Sequence, residues 1–469
     1  MGRTAASLLI CGAILLGVAG ASKTPKTDER MKGAFRRPAV NGWTYVHLEG
    51  TPGEIGYQHG YLLSAEIQDM QKVFALEFRH DNGKNWTFFR DAAKNVLWPH
   101  VEQEYREEMQ GIADGLNAQG VKFDVWDVVA MNASQEWGYY VAEYDKTHTV
   151  ASDPKAAVGE HCSAFVAVGS YTKDERVVIA HNNWTNYLDG ARWTFVFDIA
   201  PKHGYHLLMD GLPGLIHSGD DFGLNSAGMV ITETTISGFH GFDTNGVPEF
   251  VRARKAMQYS ASIDDVARIF KEGNNGGYAN DWLIADTRKN EIASLELGLK
   301  NVTLERTKDG YFVGSNFPVN EKLIREETDF DTKDMSLSAN ARHVRWEQLM
   351  AENKGKIDVA AAQRFMADHY DTYSKKEEPS ERTLDGHIDL SARGSQPWEP
   401  PYGNAGAVQN KAADAAMAAR MSFTAAAGHA CGMNFKAQEH LQAHPEFDWE
   451  QGLLRDMNAF PWTTFTIAK

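Results

Sequence analysis

His161-Cys162-Ser163-Ala164-Phe165-Val166-Ala167-Val168 is the stretch on which the fold turns. Ahead of it, residues 145–161 are polar and small, include Pro154 and Gly159, and show no periodicity. That pattern marks an exposed loop and the boundary between two parts of the chain. From Cys162 onward the run reads as a strand; a second is predicted over 176–180, joined by a turn at Thr172-Lys173-Asp174-Glu175. Further strands are predicted over 193–199, 229–235, 282–287 and 291–297. Helices are predicted over 249–259, 263–271, 339–351 and, from its alanine content, 412–427. Strands clustered before helices, without βαβ alternation, predict an α+β fold rather than a doubly wound sheet.

Upstream of the loop, Leu63, Ile67, Met70 and Phe74 recur at helical spacing, as do Val101, Tyr105, Met109, Ile112 and Leu116. Residues 22–40 are rich in lysine and arginine and read as a solvated basic tether. Residues 5–21 are apolar, follow Arg3 and end in Ala19-Gly20-Ala21, the layout of a secretory signal peptide. The expected organisation is therefore a signal peptide at 1–21, a basic linker at 22–40, a helical segment at 41–161 and a catalytic domain at 162–469. The expected location is outside the cytoplasm: extracellular, periplasmic or, in a eukaryote, lysosomal. No integral membrane span is predicted.

The chain has 469 residues, a net charge of −16 and 11% aromatic residues, including 12 tryptophans. Such a composition excludes a disordered chain, and its acidity argues against a nucleic-acid partner. No G-x-S-x-G elbow, Walker loop, dinucleotide fingerprint or H-E-x-x-H is present. His203 and His206 lack a carboxylate or cysteine at a matching spacing, so no metal and no cofactor are expected. Of three cysteines, Cys11 lies in the signal region, leaving Cys162 and Cys431 as either a disulfide or a reactive thiol with a bystander.

Cleavage of the His161–Cys162 bond would make Cys162 an N-terminus with thiol and α-amine on one residue. An amine with a reference pKa near 7.7–8.0 can serve as general base for its own thiol. That chemistry needs no separate triad.

His161-Cys162-Ser163-Ala164 and Ala180-His181-Asn182-Asn183-Trp184 are followed in order by Asp220-Asp221-Phe222 and Glu233-Thr234-Thr235-Ile236. Asn275-Gly276-Gly277-Tyr278-Ala279-Asn280-Asp281-Trp282, Ser315-Asn316-Phe317-Pro318 and Gly406-Ala407-Val408 with Lys411 come next. In these blocks the sequence resembles the phospholipase B-like family. Gly50-Thr51-Pro52-Gly53-Glu54-Ile55-Gly56-Tyr57-Gln58-His59-Gly60 and Glu108-Met109-Gln110-Gly111-Ile112-Ala113-Asp114-Gly115 are similar to the pro-segment of the isopenicillin-N acyltransferase family. Both are N-terminal-nucleophile hydrolases, so the resemblance implies a four-layer αββα sandwich and a self-processed cysteine, with 41–161 as the pro-segment.

The resemblance also implies roles. Cys162 becomes nucleophile and base, the alternative being a disulfide with Cys431. Asn280 becomes the oxyanion donor, or a turn-forming residue after Gly276-Gly277. His181 and Asn183 flank Cys162 where other relatives carry Arg and Asp; His181 equally suits a buried strand residue. Glu233 and Thr234 line the pocket, Glu233 alternatively being an ion-paired surface residue. Arg254 sits toward the substrate, or is an exposed helix charge. The implied substrate is an acyl amide or ester, small molecule or lipid, opened through a thioester. Acyl transfer to an amine and an idle binding protein on the same fold stay open, as does the oligomeric state. Sequons occur at Asn85, Asn132, Asn183 and Asn301, with Asn183 expected on a core strand.

Overall fold

The computed structural model describes residues 28–148, 162–220, 222–395 and 398–468. The signal at 1–21, residues 149–161 of the loop, His161 itself and Asp221 lie outside the described residues. Among the described residues, seventeen strands occur in chain order. They are β1 (Phe35–Arg36), β2 (Thr44–Gly50), β3 (Ser163–Val168), β4 (Val178–Asn186), β5 (Phe195–Pro201), β6 (Leu207–Gly211), β7 (Gly223–Asn225) and β8 (Met229–Thr235). There follow β9 (Asn280–Asp286), β10 (Glu291–Leu297), β11 (Val302–Thr307), β12 (Gly310–Gly314), β13 (Tyr370–Asp371), β14 (Lys376–Glu377), β15 (Ala405–Asp414), β16 (Ser422–Ala427) and β17 (Thr463–Thr466).

Two sheets carry the architecture. One has nine strands in the order β1-β2-β5-β6-β7-β8-β9-β10-β11; the other has six, β12-β3-β4-β15-β16-β17. Every pairing is antiparallel except β2 with β5. Alternation sends one set of side chains inward, where Tyr45, Val196, Leu208, Val230 and Leu283 of the first sheet meet Ala164, Val166, Ile179 and Phe423 of the second.

The opposite faces carry helices. Val46, Leu48, Phe197, Ile231 and Trp282 pack under α1 (Pro52–Leu62), α2 (Ser64–Asn82), α3 (Trp86–Ala92), α4 (Gln103–Ala118), α5 (Val125–Asn132), α6 (Trp137–Thr147), α8 (Glu249–Tyr259) and α9 (Ile263–Lys271). A short α7 (Tyr187–Gly190) follows β4. On the second sheet, Phe165, Ala167, Val178 and Ala180 pack under α11 (Ser338–Glu352) and α12 (Val359–Met366), after a short α10 (Glu321–Glu327). The layers run α, β, β, α, as the resemblance implies, and the class is α+β.

Several elements differ from the sequence expectation. Residues 412–427 are not one helix but the end of β15, a single turn at Ala415–Ala418 and β16. Alanine is the strongest helix former, but propensity is a weak determinant, and here burial between the sheets and α12 prevails over it. Residues 28–40 are no solvated tether: Arg30 stacks 3.5 Å over the Tyr57 ring, Arg36 pairs with Glu66 at 2.6 Å, and β1 joins the sheet. The segment 41–161 is not purely helical, because β2 sits inside the nine-stranded sheet beside β5. Among the described residues, no helix is long and apolar enough to cross a membrane.

Candidate active site

Cys162 heads β3, fully buried, with a backbone φ of 89°. A residue with a β-carbon held there stores on the order of 1–3 kcal/mol, so the chain is strained immediately after residues 149–161. Its carbonyl oxygen accepts from Arg342 Nη1 at 2.5 Å. Arg342, on α11, is fixed in turn by Asn316 Oδ1 at 2.8 Å, Ser338 Oγ at 2.9 Å and the Trp184 ring, 4.4 Å from its guanidinium.

The register of β3 and β4 explains who surrounds the thiol. Ala164 faces His181 and Ser163 faces Asn182. Ile179 points into the inter-sheet core, so alternation turns His181 and Asn183 the same way. Cys162 Sγ lies 3.6 Å from Asn183 Oδ1, and Sγ, a His181 ring nitrogen and a Glu233 carboxylate oxygen lie within 4.8 Å of one another. Both sequence alternatives for Cys162 and Glu233 fail: Cys162 and Cys431 are free thiols, and Glu233 is buried, accepting from Tyr278 OH at 2.8 Å.

Behind this group lies a buried charge network. Lys411 and Gln409 on β15 stand opposite His181 and Asn183. Lys411 Nζ pairs with Asp220 and, at 3.3 Å, with Asp210. Gln409 donates to the same two carboxylates at 3.1 and 2.6 Å, and Ser218 Oγ bridges them at 2.7 and 2.9 Å. His181 Nδ1 is 3.7 Å from Asp220.

Electrostatics follow from burial first. Burial, then the charges of Glu233 and Asp220, push the Cys162 thiol well above its ordinary pKa. Burial and Lys411 push His181 down to about 3, so its imidazole is neutral near pH 7. Burial opposes the charge on Lys411, but Asp210 and Asp220 hold its pKa above the usual value. Cys162, His181 and Glu233 also have the donor types of a metal site. A neutral histidine beside a buried ammonium suits proton transfer better than a further cation.

Asn280 opens β9 opposite Thr235 rather than forming a turn; it is fully buried, and among the described residues neither side-chain amide atom has a hydrogen-bond partner. Thr234 is buried against Gly314 of β12, its hydroxyl also unpartnered. Arg254 is not an exposed helix charge. It donates to Glu108 at 3.1 Å, the Ile216 carbonyl at 2.8 Å and Gln258 at 3.0 Å, beside a cavity of about 10 Å³. That volume suits about one water molecule. Of the sequons, Asn85 is exposed, while Asn132, Asn183 and Asn301 are buried.

Sequence reasoning missed Arg342 and Asp210, and gave Lys411 no role. Arg342 lies 180 positions from Cys162, and no local motif announces it. Lys411 and Asp220 carried a signal, standing in the family blocks as charged residues next to strand-forming runs.

A family model described as phospholipase B matches residues 68–461. An uncharacterized protein of Archaeoglobus fulgidus is 29% identical over 61% of this chain and 48% of its own length. Putative phospholipase B-like 2 of Caenorhabditis elegans is 22% identical over 54% of this chain and 49% of its own. Phospholipase B-like 1 of Homo sapiens is 25% identical over 46% of this chain and 42% of its own. The chain thus spans about half the length of the curated relatives it matches. A mutant conjugated bile acid hydrolase from Clostridium perfringens aligns with a TM-score of 0.34 at 10% identity, over 66% of this chain and 97% of that one.

Proposed function

The chain belongs to the phospholipase B family, and from that premise we propose a hydrolase whose nucleophile is the Cys162 thiol, freed as a new N-terminus by cleavage after His161. The observation that carries this is the grouping of Cys162 Sγ, His181 and Glu233 within 4.8 Å, at a strained strand start directly after residues 149–161. In the uncut chain the thiol adds to the carbonyl of His161, the acyl group shifts from nitrogen to sulfur, and water releases the thioester. The product is a carboxylate at 161 and a free amine at Cys162.

In the processed enzyme the amine takes the thiol proton, and the thiolate adds to a substrate acyl carbonyl. The ammonium then protonates the leaving amine or alcohol, and water resolves the thioester. Asn280 donates to the oxyanion, Glu233 orients the ammonium, and Arg342, through the Cys162 carbonyl, positions the nucleophile. Asn183, close to Sγ, fixes its rotamer, while Thr234 and Arg254 shape the surroundings. The substrate class is an acyl amide or ester, with a lipid acyl chain favoured by the phospholipase B-like names of the relatives. Export through residues 1–21 belongs to the same proposal.

Intact mass and N-terminal sequencing of purified protein test it. Two fragments are expected, the second beginning at Cys162, with residues 1–21 absent from the first. Cys162→Ala should give one uncut chain; a cut at the same bond in that variant would overturn self-processing. An acyl amide or ester quenched early should leave its acyl mass on the Cys162 fragment.

A further inference from the structure

Away from Cys162, the other free cysteine of the described residues sits in a second cluster. Asp385 and His387 precede the turn at Ile388–Leu390, His369 precedes β13, and Cys431 follows β16. One donor atom from each of His369, Asp385, His387 and Cys431 lies within 4.8 Å of the other three. We propose that these four side chains bind a divalent transition cation of the zinc class, in a closed structural site.

The distances support a tetrahedron. His369 Nε2 is 3.5 Å from Asp385 Oδ2, which is 3.8 Å from His387 Nε2, itself 3.7 Å from Cys431 Sγ. Zinc bonds of about 2.0–2.1 Å to nitrogen or oxygen and about 2.3 Å to sulfur give tetrahedral edges of about 3.3–3.6 Å. Along these three edges the donors need to close in by a few tenths of an ångström, and the other three edges are each within 4.8 Å. The two imidazole–carboxylate separations exceed an ordinary hydrogen bond, and the third is a long sulfur–imidazole hydrogen bond. Among the described residues His369 Nε2 is moreover buried without a hydrogen-bond partner, the Asp385 carboxylate standing 3.5 Å away.

The surroundings are those of a ligand set held in place. Asp385 Oδ2 also accepts the Cys431 backbone N–H at 3.0 Å, and its other oxygen lies 3.2 Å from His429 Nδ1. His429 continues to Tyr187 OH at 3.1 Å, which donates to Asp389 at 2.9 Å. The Met433 N–H points at Cys431 Sγ at 3.5 Å, as amides do toward thiolates. Such outer partners fix ligand orientation. The mixed thiolate, imidazole and carboxylate donors favour zinc over calcium or magnesium. Binding releases the Cys431 thiol proton to solvent and ties three separate segments of the C-terminal half together.

Elemental analysis of full-length protein, purified without chelator, incubated with zinc and dialysed, should find one zinc per chain. After exchange to cobalt, a sulfur-to-cobalt charge-transfer band and tetrahedral d–d bands should appear. Both should persist in Cys162→Ala and vanish in Cys431→Ser, and His387→Ala should lose the zinc. Wild-type protein without zinc after this treatment would overturn the proposal. So would a thiolate band that survives Cys431→Ser or follows Cys162, or zinc unaffected by His387→Ala. Because the wild-type and Cys162→Ala spectra decide by themselves, misfolding of a ligand variant leaves the test intact.

Discussion

Asn280 is a costly residue to keep where it is. Its amide is fully buried with no partner among the described residues, and an unpaired buried amide costs about 1–3 kcal/mol. An oxyanion donor waiting for substrate meets that description, and a turn-former or strand-stabiliser does not. Asn280→Ala should therefore lower kcat by about 100-fold or more, the loss typical of one oxyanion donor. Its melting temperature should hold or rise, because no hydrogen bond is lost. A fall in melting temperature with full activity in the surviving protein would make Asn280 structural. The role expected for Asn280 came from the family resemblance of its block, while its place after Gly276-Gly277 pointed to a turn. Its strand context was not readable, since the predicted strand began two residues later, at Trp282, and left Asn280 in the turn. Arg342 was unreadable for another reason: it acts on a backbone carbonyl, and a carbonyl carries no sequence signature.

At the scale of elements, the glycines of the N-terminal segment join two helices at unusually close range. A β-carbon on Gly56 or Gly60 of α1 would overlap the carbonyl oxygens of Glu108 or Ile112 on α4. One on Gly111 or Gly115 would overlap those of Gly53 or Tyr57 on α1. The blocking atoms are backbone, so only separation of the helices could make room. Replacing helical glycine by alanine gains about 1 kcal/mol in propensity, whereas overpacking costs about 1–3 kcal/mol, more where backbone must move. Gly60→Ala should thus destabilise by about 1–2 kcal/mol in denaturant unfolding. Gly53→Ala, whose nearest neighbour would be 3.9 Å away, should be neutral or stabilising. Equal effects from the two would refute the close-approach account. The sequence displays these glycines and the apolar stripes of α2 and α4, but cannot show that two glycine faces meet. The alanine-rich run at 412–427 failed in the opposite sense: composition pointed to helix, and only the sheet partners β4 and β17 make it two strands.

Over the whole molecule, the α+β class was legible because strands and helices each report their own periodicity, whereas the four-layer order came from the family resemblance. The strands at 229–235 and 291–297 and the helices at 249–259 and 263–271 stand where periodicity put them. What periodicity cannot carry is which distant segments share a sheet, and here the segment before Cys162 shares one with the rest. Asp198 on β5 concentrates that connection. It accepts from Tyr45 OH at 2.5 Å, lies 2.8 Å from His47 Nδ1, pairs with His206, and accepts the Ala468 N–H at 2.8 Å. One carboxylate so binds β2, β5 and the chain's far end. Burial alone would raise its pKa, but His206, His47 and Tyr45 together hold it well below the usual value. His47 is raised in return, chiefly by its hydrogen bond to Asp198. A depressed carboxylate stabilises above its unfolded pKa of about 3.9 and loses that contribution as pH falls. A raised histidine stabilises below about 6.5 and loses its contribution as pH climbs through the folded value. Both contributions are therefore complete only between about pH 4 and 6.5. The melting temperature should peak in that window, and Asp198→Asn should flatten the peak, because it removes the partner of His47 along with the carboxylate. In cleaved protein, fragment dissociation in mild denaturant should be slowest in the same window, since β2 lies in the N-terminal fragment and β5 in the other. Parallel pH profiles for wild type and Asp198→Asn would show that the two halves are held by apolar packing alone.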